Sequence, residues 1–151
     1  MTKSAAIIGG GVIGGAWAAR FLLNGWDVRV FDPDPEAERK IGEVLDNARR
    51  SLPSLSDHVM PAEGAMSFHG TIAEAVSGTA YIQESVPERM DIKHATFSAI
   101  TEAAPKDAVI GSSTSSFTPT ETKITASNIA PNPALIIIRN PTKPMGSKSP
   151  V

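Results

Sequence analysis

Five glycines fall within seven residues near the start of the chain, in the order Gly9-Gly10-Gly11-Val12-Ile13-Gly14-Gly15. Three of them form the spacing Gly9-x-Gly11-x-x-Gly14, and an acid, Asp32, stands eighteen residues beyond Gly14. A glycine turn opening a helix can aim backbone N–H groups at an anion, and it adds the positive end of the helix dipole. The first glycine permits the turn, the second lets a pyrophosphate come close, and the third lets helix pack on strand. An acid at this distance suits the two hydroxyls of an adenosine ribose. Behind Asp32 come Pro33, Asp34, Pro35 and Glu36, none of them cationic. Acids there repel a 2′-phosphate, so the pattern favours NAD over NADP. Gly9, Gly10, Gly11, Val12, Ile13 and Gly14 are its expected phosphate contacts, with Asp32 on the ribose.

Such a loop works only between a strand and a helix, and the flanking residues supply both. Ala5 to Ile8 is a short apolar run, the mark of a buried parallel strand. Val12 to Leu23 turns helical, with Ile13, Trp17 and Phe21 at i, i+4 and i+8, and Asn24-Gly25 to stop it. Asp27 to Asp32 alternates as a second strand. Asp34 then reads as an N-cap with Pro35 in the first helical position, and Ile41, Val44, Leu45 and Ala48 as the apolar face. Residues 51–64 are a turn-rich connection. Met66 to Phe68 is a brief strand, and Thr71-x-x-Glu74 has the form of a capping box opening a helix to Val76. Ala80 to Gln83 (strand), Pro87 to Ala104 (helix, core at Met90, Phe97 and Ile100) and Ala108 to Gly111 (strand) follow. Strands alternating with helices predict an α/β fold, a Rossmann-type doubly wound parallel sheet in a single domain. Ala134 to Ile138 is a candidate further strand. Prolines at 131, 133, 141, 144 and 150 and the absence of a core pattern from Met145 mark a frayed end. We therefore expect an NAD-binding domain over residues 1–120 and a divergent C-terminal segment over 121–151.

Ligands of open α/β sheets lie outside the carboxyl ends of the strands, and two further polar clusters fall there. Glu84-Ser85-Val86-Pro87-Glu88-Arg89, with Lys93 beyond it, follows the fourth strand. Ser112-Ser113-Thr114-Ser115 follows the fifth. Glu88 and Lys93 also suit a plain intrahelical ion pair, and the serines a capping turn; their position favours ligand contact.

Composition narrows the partners. Of 151 residues, 41% are hydrophobic and 20% charged, with net charge −2, which fits a globular domain without a basic stripe for nucleic acid or anionic membrane. The absence of cysteine excludes disulfides and thiolate metal sites and suits a reducing cytoplasm. No metal site is expected. Lys3 and the apolar run to Ala19 imitate a secretory signal, but the five glycines within it weaken that reading, and the run is too short for a membrane span.

Three segments strongly resemble the 3-hydroxyacyl-CoA dehydrogenase superfamily. They are Ala5 to Asp32, Tyr81 to Arg89 with Lys93, and Ile110-Gly111-Ser112-Ser113-Thr114-Ser115. The wording Gln83-Glu84-Ser85-x-Pro87-Glu88-Arg89 is most similar to the carnitine 3-dehydrogenase branch. The resemblance, over about residues 4–120, implies NAD-dependent oxidation of the 3-hydroxyl of L-carnitine by a cytoplasmic homodimer. It also implies a helical second domain, which carries the dimer contact and much of the substrate pocket and has no counterpart in this chain. Glu88 and Lys93 correspond to cofactor contacts near the nicotinamide end, and Ser115 to a serine facing nicotinamide and substrate hydroxyl.

One departure bears on catalysis. The family carries a general-base His opening a His-Pro-Phe-Asn-Pro segment downstream of that serine, and a Glu beyond it that orients the His. The counterpart here is Asn140-Pro141-Thr142-Lys143-Pro144, with Asn140 at the His position and Lys143 at the Asn position. An amide cannot serve as a general base. His58, His69 and His94 lie in no comparable segment, so no catalytic residue is assigned. The expectation is a cofactor half without turnover of its own. The alternatives are a stand-alone NAD-sensing or regulatory module, or a fragment of a short-chain 3-hydroxyacyl-CoA dehydrogenase. An S-adenosylmethionine methyltransferase shares the glycine loop and the acid but has no pyrophosphate to hold and little use for Gly14.

Overall fold

Apolar strands with no polar face need cover on both sides, and β1 (Ser4–Ile8) receives it: Ala5, Ala6, Ile7 and Ile8 are all 0% exposed. The computed structural model of the protein describes residues 3–115 and 135–137. Around β1 run β2 (Asp27–Phe31), β3 (Met66–Phe68), β4 (Tyr81–Glu84), β5 (Val109–Ser112) and β6 (Leu135–Ile137). All pair in parallel, in the order β3-β2-β1-β4-β5-β6. The last strand lies within the stretch anticipated from 134 to 138. Asn140, Lys143 and the remainder of the C-terminal segment lie outside the described residues.

Helices α1 (Val12–Leu23) and α2 (Ala37–Ser51) share a core with Ile7, Val28 and Val30. Helices α3 (Ile72–Val76) and α4 (Met90–Ala103) cover the other face, against Ala6, Ile8, Ile82 and Ile110. The chain steps outward from β1 one way through β2 and β3, and the other way through β4, β5 and β6. The loops after β1 and β4 therefore diverge, and a crevice opens between them. This is the Rossmann-type doubly wound sheet. No helix among the described residues is long and apolar enough to cross a membrane.

Several local readings shift. The buried face of α1 is Gly14, Gly15, Ala18, Ala19, Leu22 and Leu23 rather than the Ile13, Trp17 and Phe21 stripe. Small residues let this helix lie close on the sheet, so the larger stripe is displaced sideways, with Trp17 and Phe21 against Tyr81. Helix α2 begins at Ala37 instead of Pro35, because the Asp34 carboxylate first closes a turn on the Glu36 N–H at 2.9 Å. Thr71 and Glu74 do form the reciprocal capping box of α3. Strands β4 and β5 each run one residue further than the pattern suggests, bringing Glu84 and Ser112 into register as partners. Helix α4 starts at Met90, three residues after Pro87, and ahead of it the Arg89 N–H turns back to the Pro87 carbonyl at 2.7 Å instead of entering a helical ladder.

Candidate cofactor site

Gly9 follows β1 with φ +94°, a conformation that favours glycine. A Cβ on Gly14 would stand 1.8 Å from the Gly9 carbonyl oxygen, so the first turn of α1 packs directly on the loop. Gly11 is the opposite case: a Cβ there would meet nothing within 4 Å. It is the N-cap of α1, makes no side-chain cap bond, and is followed by no acid in the first turn. The leading N–H groups of a helix have no intrahelical partner. Around Gly11 they face open space, which is the shape and charge a pyrophosphate needs.

Asp32 stands just past the end of β2. Its Oδ2 accepts the Gly10 N–H at 2.5 Å and its Oδ1 accepts the Asp34 N–H at 2.7 Å. The carboxylate is thus fixed beside the glycine loop, with lone pairs left for a diol. The nearest downstream cations are engaged. Lys40 Nζ lies 2.6 Å from Asp34 Oδ2, and Arg39 pairs with Glu36 and Glu43. The Lys40 ammonium, aided by the Glu36 N–H, holds the Asp34 carboxyl below its ordinary range.

A cleft of about 380 Å³ continues from this loop. Gly11, Val12 and Ile13 form one wall, with Val12 81% and Ile13 55% exposed. Ser85, Val86, Pro87 and Glu88 after β4, and Ser113 and Ser115 after β5, form the other. The fit to a dinucleotide is therefore direct: a bare helix terminus and an acid at one end, an apolar and hydroxyl-lined cleft at the other.

The hub behind that second wall is Glu84, which the sequence placed only within a polar loop cluster and which the fold buries. Glu84 is 0% exposed and accepts Lys93 Nζ at 2.9 and 3.1 Å, Ser112 Oγ at 2.5 Å and the Val86 N–H at 2.9 Å. Lys93 is itself 0% exposed, and it reaches on to Glu88 Oε2 at 3.4 Å. Glu88 Oε1 accepts Thr114 Oγ1 at 2.6 Å and the Ser115 N–H at 3.1 Å. The intrahelical Glu88–Lys93 pair is thus corrected: Glu88 precedes α4, and the principal partner of Lys93 lies at the end of β4. A buried ion pair is tolerated where the remaining hydrogen-bonding capacity is met, as it is here. A signal was present: Lys93 shares the inward stripe of α4 with Phe97 and Ile100, and a cation on a core stripe demands a buried acid.

The structure brings Gly9 to Gly14 together with Asp32, and Glu88 together with Ser115, with Lys93 enclosed behind them. His58, His69 and His94 are not among the cleft-lining residues.

Comparison with known proteins agrees with this geometry. Residues 4–137 match the profile of the 3-hydroxyacyl-CoA dehydrogenase NAD-binding domain. The chain belongs to this family. The family match runs past residue 120, where the motif-borne resemblance stops. An L-carnitine dehydrogenase/betainyl-CoA thioesterase of Ruegeria pomeroyi is 62% identical over 142 residues, 94% of this chain and 28% of that protein. An L-carnitine dehydrogenase of Mesorhizobium japonicum is 48% identical over 143 residues, 95% of this chain and 38% of that protein. The chain thus spans well under half the length of these relatives. Among solved structures, 5-formyl-3-hydroxy-2-methylpyridine 4-carboxylic acid 5-dehydrogenase, an NAD+-dependent dismutase, superposes with TM-score 0.75 at 28% identity. That match covers 92% of this chain and 44% of the other. The chain therefore carries an NAD-binding domain of the dehydrogenase type.

Proposed function

We propose that this chain is the cofactor half of an oxidoreductase acting on the 3-hydroxyl of L-carnitine, giving 3-dehydrocarnitine. The observation that carries the reading is the open cleft between the bare N-terminus of α1 and the Glu88 and Ser115 wall, with Asp32 held beside the same glycine loop through the Gly10 N–H. The names of the relatives supply the substrate class. In this reading the backbone of Gly9 to Gly14, with Val12 and Ile13, holds the pyrophosphate, and Asp32 accepts the adenosine ribose hydroxyls. Glu88 and Ser115 face the nicotinamide end, and Ser115 also faces the substrate hydroxyl. Lys93, being enclosed, acts through Glu84 and Glu88.

NAD, when bound, accepts a hydride from the alcohol carbon. The alcohol proton must leave in the same event, and a positioned base typically contributes 10²–10⁴-fold. None of the three histidines lines the cleft, and Asn140 cannot take the proton. By itself the chain is therefore expected to bind NAD without turning over L-carnitine. The homodimer and the cytoplasmic setting implied by the resemblance belong to the same proposal.

Calorimetric titration with NAD and NADP tests the cofactor reading, and NAD should bind more tightly. Equal affinities would remove it, because the residues that follow Asp32 include the acids Asp34 and Glu36, and a 2′-phosphate calls for a free cation there. An NADH-absorbance assay with NAD and L-carnitine between pH 7 and 10 tests the second part. Turnover of about 1 s⁻¹ or more, ordinary for an enzyme, would show that a base exists in this chain.

A further inference from the structure

A second polar network reaches the cleft from beneath, across the sheet. Gln83, on β4, is 0% exposed, an unusual place for an amide. Every polar atom of its side chain is engaged. Tyr81 OH donates to Oε1 at 3.0 Å, while Nε2 gives one proton to the Glu84 carbonyl at 3.1 Å and the other to Ser113 Oγ at 2.8 Å, with Ser85 Oγ sharing it at 3.4 Å. A carbonyl only accepts, so the Glu84 contact alone fixes which end of the amide carries the protons. The Tyr81 hydroxyl, which can donate or accept, then donates to the oxygen at the opposite end. Burial pushes the Tyr81 phenol up, which keeps it a donor at ordinary pH.

Strand β5 is shaped to allow this. Gly111 is the register partner of Gln83, and a Cβ there would lie 2.2 Å from Tyr81 OH and 2.9 Å from Gln83 Oε1. Only a residue without a side chain lets the tyrosine and the amide lie over β5. The Tyr81 ring is held from outside by Trp17 and Phe21 of α1.

The consequence falls on Ser85 and Ser113, which both line the cleft and stand 3.2 Å apart, Oγ to Oγ. Ser113 Oγ accepts the second amide proton and Ser85 Oγ lies at the edge of its reach, so both serine hydroxyl protons remain with the pair. One is used between them, and the other is left to point into the cleft, together with unused lone pairs. We propose that Gln83 is a positioning residue that orients Ser85 and Ser113 into a hydroxyl pair for the nicotinamide-riboside half of the cofactor. The ligand chemistry is a neutral hydrogen-bonding group, a ribose hydroxyl or the carboxamide. This deepens the NAD reading and rests on it.

Calorimetry on the parent chain, Gln83→Leu and Tyr81→Phe with NAD, ADP-ribose and AMP tests the assignment. AMP spans only the Asp32 end, so its affinity should stay within about 2-fold, while Gln83→Leu should weaken NAD about 10-fold. Tyr81→Phe keeps the ring packing and removes one bond, for a loss of roughly 2–5-fold in NAD. It decides alone should Gln83→Leu fail to fold. A parallel loss for ADP-ribose assigns the pair to the ribose hydroxyls, and a loss confined to NAD assigns it to the carboxamide; both support the proposal. NAD affinity unchanged in the variants, or AMP weakened as much as NAD, overturns it and leaves the cofactor reading standing. Failure of the parent chain to bind NAD at all removes both.

Discussion

At the glycine-loop end the groups we propose to face the ligand are backbone amides around Gly11 and, beside the loop, one carboxylate, Asp32, itself held by backbone N–H groups. At the far end they are side chains, Glu88, Ser85, Ser113 and Ser115, braced by Gln83 and Glu84 of β4, Lys93 of α4 and Thr114 of the loop after β5. The first end needs room, and glycine supplies it by leaving space empty. The second needs polar groups held still in a dry interior, where each must find a partner. The contrast predicts that damage to the first end removes binding and spares the fold, whereas damage to the second reaches the fold itself.

Lys93→Met is the most severe test of the second half of that statement. It leaves the Glu84 carboxylate buried without its cation, and one-sided removal of a buried pair costs about 3–5 kcal/mol. Urea unfolding should show it, and Glu84→Leu combined with Lys93→Met should be more stable than Lys93→Met alone. A single variant as stable as the parent would mean that the pair does not brace the loops.

Gly11→Val tests the first half. Its side chain enters space that is empty in the fold, so the thermal midpoint should stay put while NAD affinity falls by about 100-fold or more, the equivalent of two lost charge-assisted contacts. Normal NAD binding would place the phosphates elsewhere.

Asp32→Ala should cost about 1.5–3 kcal/mol of NAD binding, the range for hydrogen bonds to a charged group. The same carboxylate anchors Gly10, so AMP should weaken in step with NAD. Loss of NAD affinity without loss of AMP affinity would move Asp32 away from the adenosine end.

The smallest effect concerns the exposed turn behind Asp32. Lys40 and the Glu36 N–H depress the Asp34 carboxyl in the folded chain. A depressed carboxyl contributes stability that is fully present above its unfolded value, and that is lost as pH falls through the folded one. Asp34→Asn should therefore lower the melting midpoint slightly near pH 7, and the deficit should shrink as the solution is acidified below the ordinary carboxylate range. A deficit independent of pH would trace it to the turn geometry rather than to the charge. This surface group is expected to respond to salt as well.

What the sequence alone determined was whatever is written locally. Strand β1, the glycine spacing and the Thr71–Glu74 capping box each depend on residues a few positions apart, and each stands where the pattern puts it. Asp32 was legible because a parallel strand of known length delivers it beside the loop. The tertiary structure alone decided the far wall. Whether β4 ends at Gln83 or Glu84 depends on how far the ladder with β1 and β5 continues. That one residue turns Glu84 from a loop acid into a buried hub. Helix α4 starts at Met90 and not at Pro87, and ahead of it the Arg89 N–H closes a tight turn on the Pro87 carbonyl while the Glu88 carboxylate is held by Thr114 and Ser115 of the neighbouring loop. The distant partners of Glu84 and Gln83, which are Lys93, Ser112 and Ser113, stand 9 to 30 residues from them in sequence. No periodicity records such distances; a buried polar group finds its partner only when the sheet has assembled and water has been excluded from it.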